Sequence, residues 1–328
     1  MRRMQLVCAL VLVGFLAFGP LPGPAAQADG ASSLGAIKTV FVIVMENMNW
    51  SSIVDSRSAP YINKTLLPMS AYATQYYNPP HIHPSLPNYL WLEAGTNFGI
   101  LDDAGPRNHR QSTPQHLVTL LDNAAVSWRT YQEDIKGGSC PLNNAGQYAV
   151  KHNPFVYFTD VSGDPPGADS TNCIQHVVPF TQLADDLTSN GVARYNFITP
   201  NLCDDMHDSS GCTTPDSIAN GDEWLSKQVP PILASKAYQD SGALFITWDE
   251  GIGGDGPIGM IVVSPLGKGG GYSNTIHYTH GSTLRTIEEI FGVSPFLGDA
   301  ANQDDLSDLF NLPAAAGTGT PAPTQAGS

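Results

Sequence analysis

Basic residues are scarce: 15 Lys and Arg stand against 30 Asp and Glu, a formal charge of −15, and only 14% of the chain is charged. Capture of nucleic acid by neutralising its phosphates needs the opposite balance, so a nucleic-acid scaffold is excluded as a partner. Any anionic substrate needs a local source of positive charge. Apolar runs long enough to span a bilayer are missing after the first residues, so no transmembrane segment is expected beyond them. Internal repeats are missing as well. Cysteine is sparse, at 5 residues, and no spacing between them is the close pair of a zinc knuckle. What the chain does have is 328 residues, 41% of them apolar, enough to bury a sizeable core and to exclude disorder of the whole. Its 32 Gly and 26 Pro imply many loops, where sites are commonly built.

Met1-Arg2-Arg3, an apolar run from Leu6 to Phe18 and the small residues Ala26-Gln27-Ala28 read as a signal peptide over 1–28, and thus as a secreted or periplasmic protein. Cys8 would leave with it. In an oxidising compartment the remaining four form two disulfides; the separations favour Cys140–Cys173 and Cys203–Cys212, although three connectivities are formally open. Residues 29–36 read as a small-residue linker, 37–311 as one catalytic domain, and 312–328, which lack core-forming residues, as a disordered tail.

Continuous apolar runs predict buried strands at Thr39–Met45, Tyr195–Ile198, Ala243–Trp248 and Met260–Ser264. Helical patterns cover Tyr61–Ala73, Gln115–Ala124, Phe180–Ser189, Ile218–Gln228 and Ser282–Phe291, the last closed by Gly292. The alternation predicts an α/β fold, a three-layer sandwich with a mostly parallel central sheet. Ligands of such sheets bind beyond the carboxyl ends of the strands.

Those ends carry acid. The first strand runs into Glu46 and Asn47, and a late strand into Asp249 and Glu250. Carboxylates gathered at one edge would repel unless a divalent cation joined them, and oxygen ligands leave Ca, Mg, Mn and Zn all open. Either acid alone would read as a helix cap. Ser85 lies between prolines in His83-Pro84-Ser85-Leu86-Pro87-Asn88 at the start of a helical stretch, where a hydroxyl can attack phosphorus and Asn88 and backbone N–H groups can hold phosphate oxygens. In isolation such a serine reads as a cap. His207, among Asp204, Asp205 and Asp208, is either a metal ligand or a proton donor oriented by Asp208 or Asp205. His280, beside Gly281, reads as a loop histidine facing a ligand, and Lys151-His152 adds a cation and an imidazole.

Taken in series, Met45-Glu46-Asn47, His83-Pro84-Ser85-Leu86-Pro87-Asn88-Tyr89, Asp205-Met206-His207-Asp208, Thr247-Trp248-Asp249-Glu250 and the Ser282–Glu288 segment resemble the phosphoesterase family. That family includes secreted acid phosphatases and bacterial phospholipases C of the alkaline-phosphatase-like superfamily. The resemblance implies an alkaline-phosphatase-like fold, Ser85 as nucleophile, His207, Asp208 and His280 around the phosphate, and a metal bound by Glu46, Asn47, Asp249 and Glu250. Asn88, Lys151 and His152 are expected to bind substrate, a phosphorylated small molecule or phospholipid headgroup. Where the family often continues Arg-Ser-Phe-Asp after its first motif, this chain has Met48-Asn49-Trp50-Ser51, which implies different contacts near Glu46. The expected activity is that of a secreted acid phosphatase acting through a phosphoserine. Phospholipase C-type diester cleavage and a non-catalytic phospholipid-binding module are the alternatives.

Overall fold

The structure is a computed structural model that describes residues 33–208 and 210–312. The expected signal peptide, the first part of the expected linker and residues 313–328 of the expected tail lie outside the described residues. Ser33–Ala36, at the end of that linker, forms a 3-10 turn whose Leu34 is buried, so folded structure begins ahead of Ile37.

Among the described residues ten strands follow in chain order: β1 (Thr39–Met45), β2 (Ala71–Ala73), β3 (Tyr76–Tyr77), β4 (Trp128–Gln132), β5 (Val177–Pro179), β6 (Tyr195–Thr199), β7 (Gly242–Trp248), β8 (Met260–Val263), β9 (Tyr272–Asn274) and β10 (Tyr278–Thr279). Eight of them make one sheet in the order β5-β4-β6-β1-β7-β8-β2-β9, and β10 and β3 pair separately. From β5 to β7 every pairing is parallel; β8 runs antiparallel to both β7 and β2. β1 and β7 are buried along their whole length, which is why their sequences are continuously apolar rather than alternating. This is the expected α/β architecture with a mostly parallel central sheet.

The four predicted strands are present, and three predicted helices change, Ile218–Gln228 running on through Pro230 and Pro231 as Ser217–Ala234. Tyr61–Ala73 is not one helix: Ile62–Leu66 is a π-helical turn, Leu67–Met69 a short helical turn, and Ala71–Ala73 is β2. Ser70 is extended, with φ −93° and ψ 174°, and Ala-Tyr-Ala is too short to display strand periodicity. The last helix starts earlier than expected, at His280, because Thr279 is its N-cap in a capping box closed by Ser282; Gly292, at φ 64°, ends it. The cysteines pair as Cys140–Cys173 and Cys203–Cys212.

Ser85–Ala94 forms the helix after β3, and its far end is tied down by a buried ionic group. His116 Nδ1 lies 3.1 Å from Glu93 Oε1 and its Nε2 3.0 Å from Asp160 Oδ2, while the ring stacks on Phe158 at 3.8 Å. Burial alone would lower the imidazole pKa, but the bonds to Asp160 and Glu93 prevail and hold it at about 9. A folded pKa above the unfolded one contributes stability that is complete below about pH 6.5 and lost as the pH rises through about 9. His116→Gln is expected to cost about 3 kcal/mol at pH 6 and to flatten that loss, read by urea unfolding at pH 6 and pH 9.5.

Candidate active site

The carboxyl ends of β1, β6 and β7 share one edge of the sheet. Met45 pairs with Trp248 at the last rung of β1 and β7, so Glu46 and Asp249 emerge side by side. Backbone bonds continue the frame: Asp249 N–H donates to Met45 O at 2.9 Å, and Glu46 N–H to Asp205 O at 2.7 Å. The loop carrying Asp205 can come this close because the Ser217–Ala234 helix presents Gly221 to it; a Cβ there would collide with Met206 Cγ. Asn47 adopts φ 44°, a left-handed conformation that asparagine tolerates better than most residues, and its N–H donates to Asp249 Oδ1 at 2.9 Å.

Glu46, Asp205 and Asp249 are fully buried, and one oxygen of each, Oε1, Oδ2 and Oδ2 respectively, makes no hydrogen bond. Burial, and then the charges of Asp249 and Asp205, push the Glu46 carboxyl well above its usual range; burial does the same for Asp205 and lifts Asp249 to about 6. Taking several carboxylates out of water costs several kcal/mol per ion unless something compensates them. Lys151 is the cation that acts on all three.

Among the described residues, no three His, Cys, Asp or Glu side chains already close around one point as a metal cage would. The fit to a cation rests instead on the three orphaned carboxylate oxygens and on neutral oxygen donors beside them, the Asn47 amide and the Ser85 hydroxyl. That donor set is the chemistry of a hard divalent ion.

Ser85 opens its helix directly after the N-cap Pro84, and its hydroxyl makes no capping bond. Ser85 Oγ donates to Glu46 Oε2 at 3.0 Å, an oxygen that also accepts from Asn47 Nδ2 at 2.9 Å. Lys151 Nζ lies 3.5 Å from Ser85 Oγ and 3.0 Å from Asp103 Oδ2. Its pKa is raised: burial opposes the charge, but Glu46 and Asp103 outweigh that. The hydroxyl therefore sits between a carboxylate that can take its proton and a fixed cation.

The structure brings Glu46, Asn47, Asp249, Ser85 and Lys151 into one group and puts the other expected residues around it. Glu250 Oε2 lies 2.7 Å from His83 Nδ1 and accepts from Asn88 Nδ2 at 2.8 Å, with its carboxyl pushed up to about 7 by burial and by Asp249. Asn88 is fully buried and also donates to Ile82 O at 3.0 Å, so it orients Glu250 and the Ser85 turn instead of reaching substrate as expected. His152 is likewise not open to a substrate. It is buried, stacked on Tyr89 at 5.1 Å, with Nε2 3.2 Å from Glu46 Oε1 but without hydrogen-bond geometry, and burial with the Lys151 charge keeps it neutral.

The expectation for His280 is corrected most. It is no loop residue but the first of a helix, fully buried; its Nε2–H donates to Asp249 O at 2.6 Å and its Nδ1 lies 3.0 Å from Tyr76 Oη. Burial pulls its pKa down to about 4, so it is a neutral brace for the Asp249 backbone. His207 does face the open. With Asn47, His83, Glu250 and the Gly251–Gly254 loop it lines a cleft of about 580 Å³, and its Nδ1 is 3.0 Å from Asp208 Oδ1.

His83, Asp103, Asp205 and Asp255 are the site residues that sequence reasoning undervalued. His83 stands in the quoted serine motif, and Asp205 in the His207 motif, where it reads as an orienting residue or, with Asp204 and His207, as part of a second metal site. Asp103 and Asp255 carry no local signal: Asp255 reaches His83 Nε2 at 3.1 Å only because the β7–β8 loop folds back.

Residues 56–294 match the Phosphoesterase family. The chain is 32% identical over 307 residues to a phosphatidylinositol-3-phosphatase of Mycobacterium tuberculosis, covering 92% of this chain and 94% of that protein. It is 26% identical over 279 residues to an acid phosphatase of Aspergillus fumigatus, covering 80% of this chain but 56% of that one. Among solved structures, human ectonucleotide pyrophosphatase/phosphodiesterase 5 overlays with a TM-score of 0.54 at 11% identity, covering 83% of this chain and 100% of that one. A Vibrio parahaemolyticus protein of the alkaline phosphatase superfamily overlays with a TM-score of 0.53 at 10% identity, covering 79% and 67%. At such identities the overlays establish the fold, and the sequence matches establish the family. A hydrolase of phosphoric ester bonds, the chain belongs to the phosphoesterase family.

Proposed function

We propose that the chain is an exported phosphatase that hydrolyses phosphate monoesters by attack of Ser85 Oγ on phosphorus. The observation that carries this reading is Ser85 itself: a buried helix-opening hydroxyl with no capping role, 3.0 Å from Glu46 Oε2 and 3.5 Å from Lys151 Nζ. Glu46 receives the hydroxyl proton, and Lys151 and the Leu86 N–H hold non-bridging oxygens of the phosphoryl group. His207, oriented by Asp208, protonates the departing alkoxide at the mouth of the cleft, leaving a phosphoserine that water then cleaves. Glu46, Asn47 and Asp249, with Asp205 and Glu250 beside them, would hold a divalent cation. When bound, such an ion neutralises phosphoryl charge and lowers the pKa of a hydroxyl it touches.

Two of the relatives described are named for monoester chemistry, on a phosphoinositide in one case and as an acid phosphatase in the other. A phosphorylated headgroup or small alcohol therefore suits the cleft better than a diester. Two disulfides fit an oxidising compartment, and among the described residues no helix is long and apolar enough to cross a membrane. The purified protein is expected to release inorganic phosphate from p-nitrophenyl phosphate and no nitrophenol from p-nitrophenyl phosphorylcholine. The reverse pattern would overturn the monoester reading in favour of a phospholipase C. Chelation should abolish turnover, with recovery on adding back Mg²⁺, Ca²⁺, Mn²⁺ or Zn²⁺; full activity in excess chelator would remove the cation from the proposal.

A further inference from the structure

Two donors beside Ser85 are already engaged, and both by the same side chain. Asp103 Oδ1 accepts from Leu86 N–H, in the first turn of the Ser85–Ala94 helix, at 3.0 Å. Asp103 Oδ2 accepts from Lys151 Nζ at 3.0 Å, and that nitrogen is 3.5 Å from Ser85 Oγ. One carboxylate thus spans, through its two oxygens, the backbone N–H and the ammonium group that a phosphoryl group bound at Ser85 would need. Asp103 does not belong to the buried carboxylate trio: its side chain is 30% exposed, so it can turn to water. Its loop is held independently. Asp102 Oδ1 accepts from Ala104 N–H at 2.8 Å and lies 2.6 Å from His109 Nε2, so Asp103 can let go without the backbone moving.

We propose that Asp103 is a built-in competitor of phosphate, which occupies Lys151 and the Leu86 N–H in the free enzyme and yields them to the phosphoryl group of substrate. This rests on the reading of Ser85 as nucleophile. Donors that stabilise a phosphoryl group in transit also hold the inorganic phosphate left at the end, and a site offering them unopposed retains its product. A tethered carboxylate is present at high effective concentration and weakens the ground-state binding of substrate and product alike. The same displacement falls on the transition state, so kcat/KM drops together with ground-state affinity while the step from bound substrate is left unchanged. Asp103 would therefore set KM high and speed product release.

A carboxylate that merely positions Lys151 makes the opposite prediction, so one variant separates the two. In Asp103→Asn, and in Asp103→Ser as a second variant should the first fold poorly, the inhibition constant for inorganic phosphate and KM for p-nitrophenyl phosphate should both fall about tenfold. The kcat should not rise with them, since release of phosphate slows. Unchanged or weaker phosphate inhibition in the folded variants, with kcat reduced, would overturn the competitor and leave a positioning residue. Ser85→Ala assayed alongside reports on the underlying reading: sustained turnover there rejects the nucleophile, whereas unaltered phosphate inhibition in the Asp103 variants rejects only the competitor.

Discussion

Ser85→Ala is expected to lower kcat on p-nitrophenyl phosphate by at least about 10⁴-fold, with the fold unchanged. The removed atom makes a 3.0 Å bond to Glu46 and supplies no helix cap, so its loss costs stability no more than about 1 kcal/mol. A serine whose only duty was to start the helix would lose a similar amount of stability, about 1 kcal/mol, but leave turnover intact. Circular dichroism with a thermal melt and a phosphate-release assay on one preparation distinguish the two. The predicted effect is large because Lys151 and Glu46 both converge on Ser85 Oγ.

The second large effect concerns stability. In cation-free protein, Asp249→Asn is expected to raise the melting temperature by about 4 °C while abolishing turnover, because it removes one of three mutually repelling buried carboxylates. The substitution preserves the groups that depend on this side chain. An asparagine oxygen can still accept from Asn47 N–H and Glu250 N–H, which now donate to Asp249 Oδ1 at 2.9 and 2.6 Å. The new amide would replace Asp249 Oδ2, an oxygen without a partner, among the remaining acids. The wild-type protein should behave differently when a divalent ion is added in about hundredfold excess over its dissociation constant, gaining about 5 °C, while Asp249→Asn gains little. Differential scanning fluorimetry with and without chelator measures all four states. Destabilisation of the cation-free protein by Asp249→Asn would mean that the cluster is a satisfied structural network and that its strain is not held for function.

Much of the edge that carries this chemistry is legible in the sequence, for a physical reason. Thr39–Met45 and Gly242–Trp248 are apolar but for Thr39 and Thr247 because both faces are covered, and each run stops abruptly at acid, so Glu46 and Asp249 stand out. Parallel pairing then puts the two ends on one edge without further information. Ser85 is legible too, from the prolines around it. The residues that are missed or undervalued depend on contacts between distant segments. Asp103 matters because Lys151 folds onto it, and Asp205 because Gly221 lets its loop approach β1.

His280 shows how local sequence misleads. Gly281 and the neighbouring hydroxyl residues look like a loop, yet Thr279 and Ser282 are the two halves of a capping box, and a buried imidazole is what braces the Asp249 backbone. Asn88 is misread in the same way. It lies one helical turn beyond Ser85 and so was expected to reach substrate, but it points at Glu250 and the Ile82 carbonyl. The helix contributes both residues; it is the β7 end, brought in by the fold, that engages Asn88 through Glu250.

The most direct test of Ser85 as the phosphoryl acceptor is to quench the reaction with acid during the first turnover of a labelled phosphate monoester and map the protein-bound label by peptide mass spectrometry. The expected result is one phosphopeptide carrying the modification on Ser85, absent from Ser85→Ala. Label on another residue, or turnover with no protein-bound phosphate at any quench time, would contradict it.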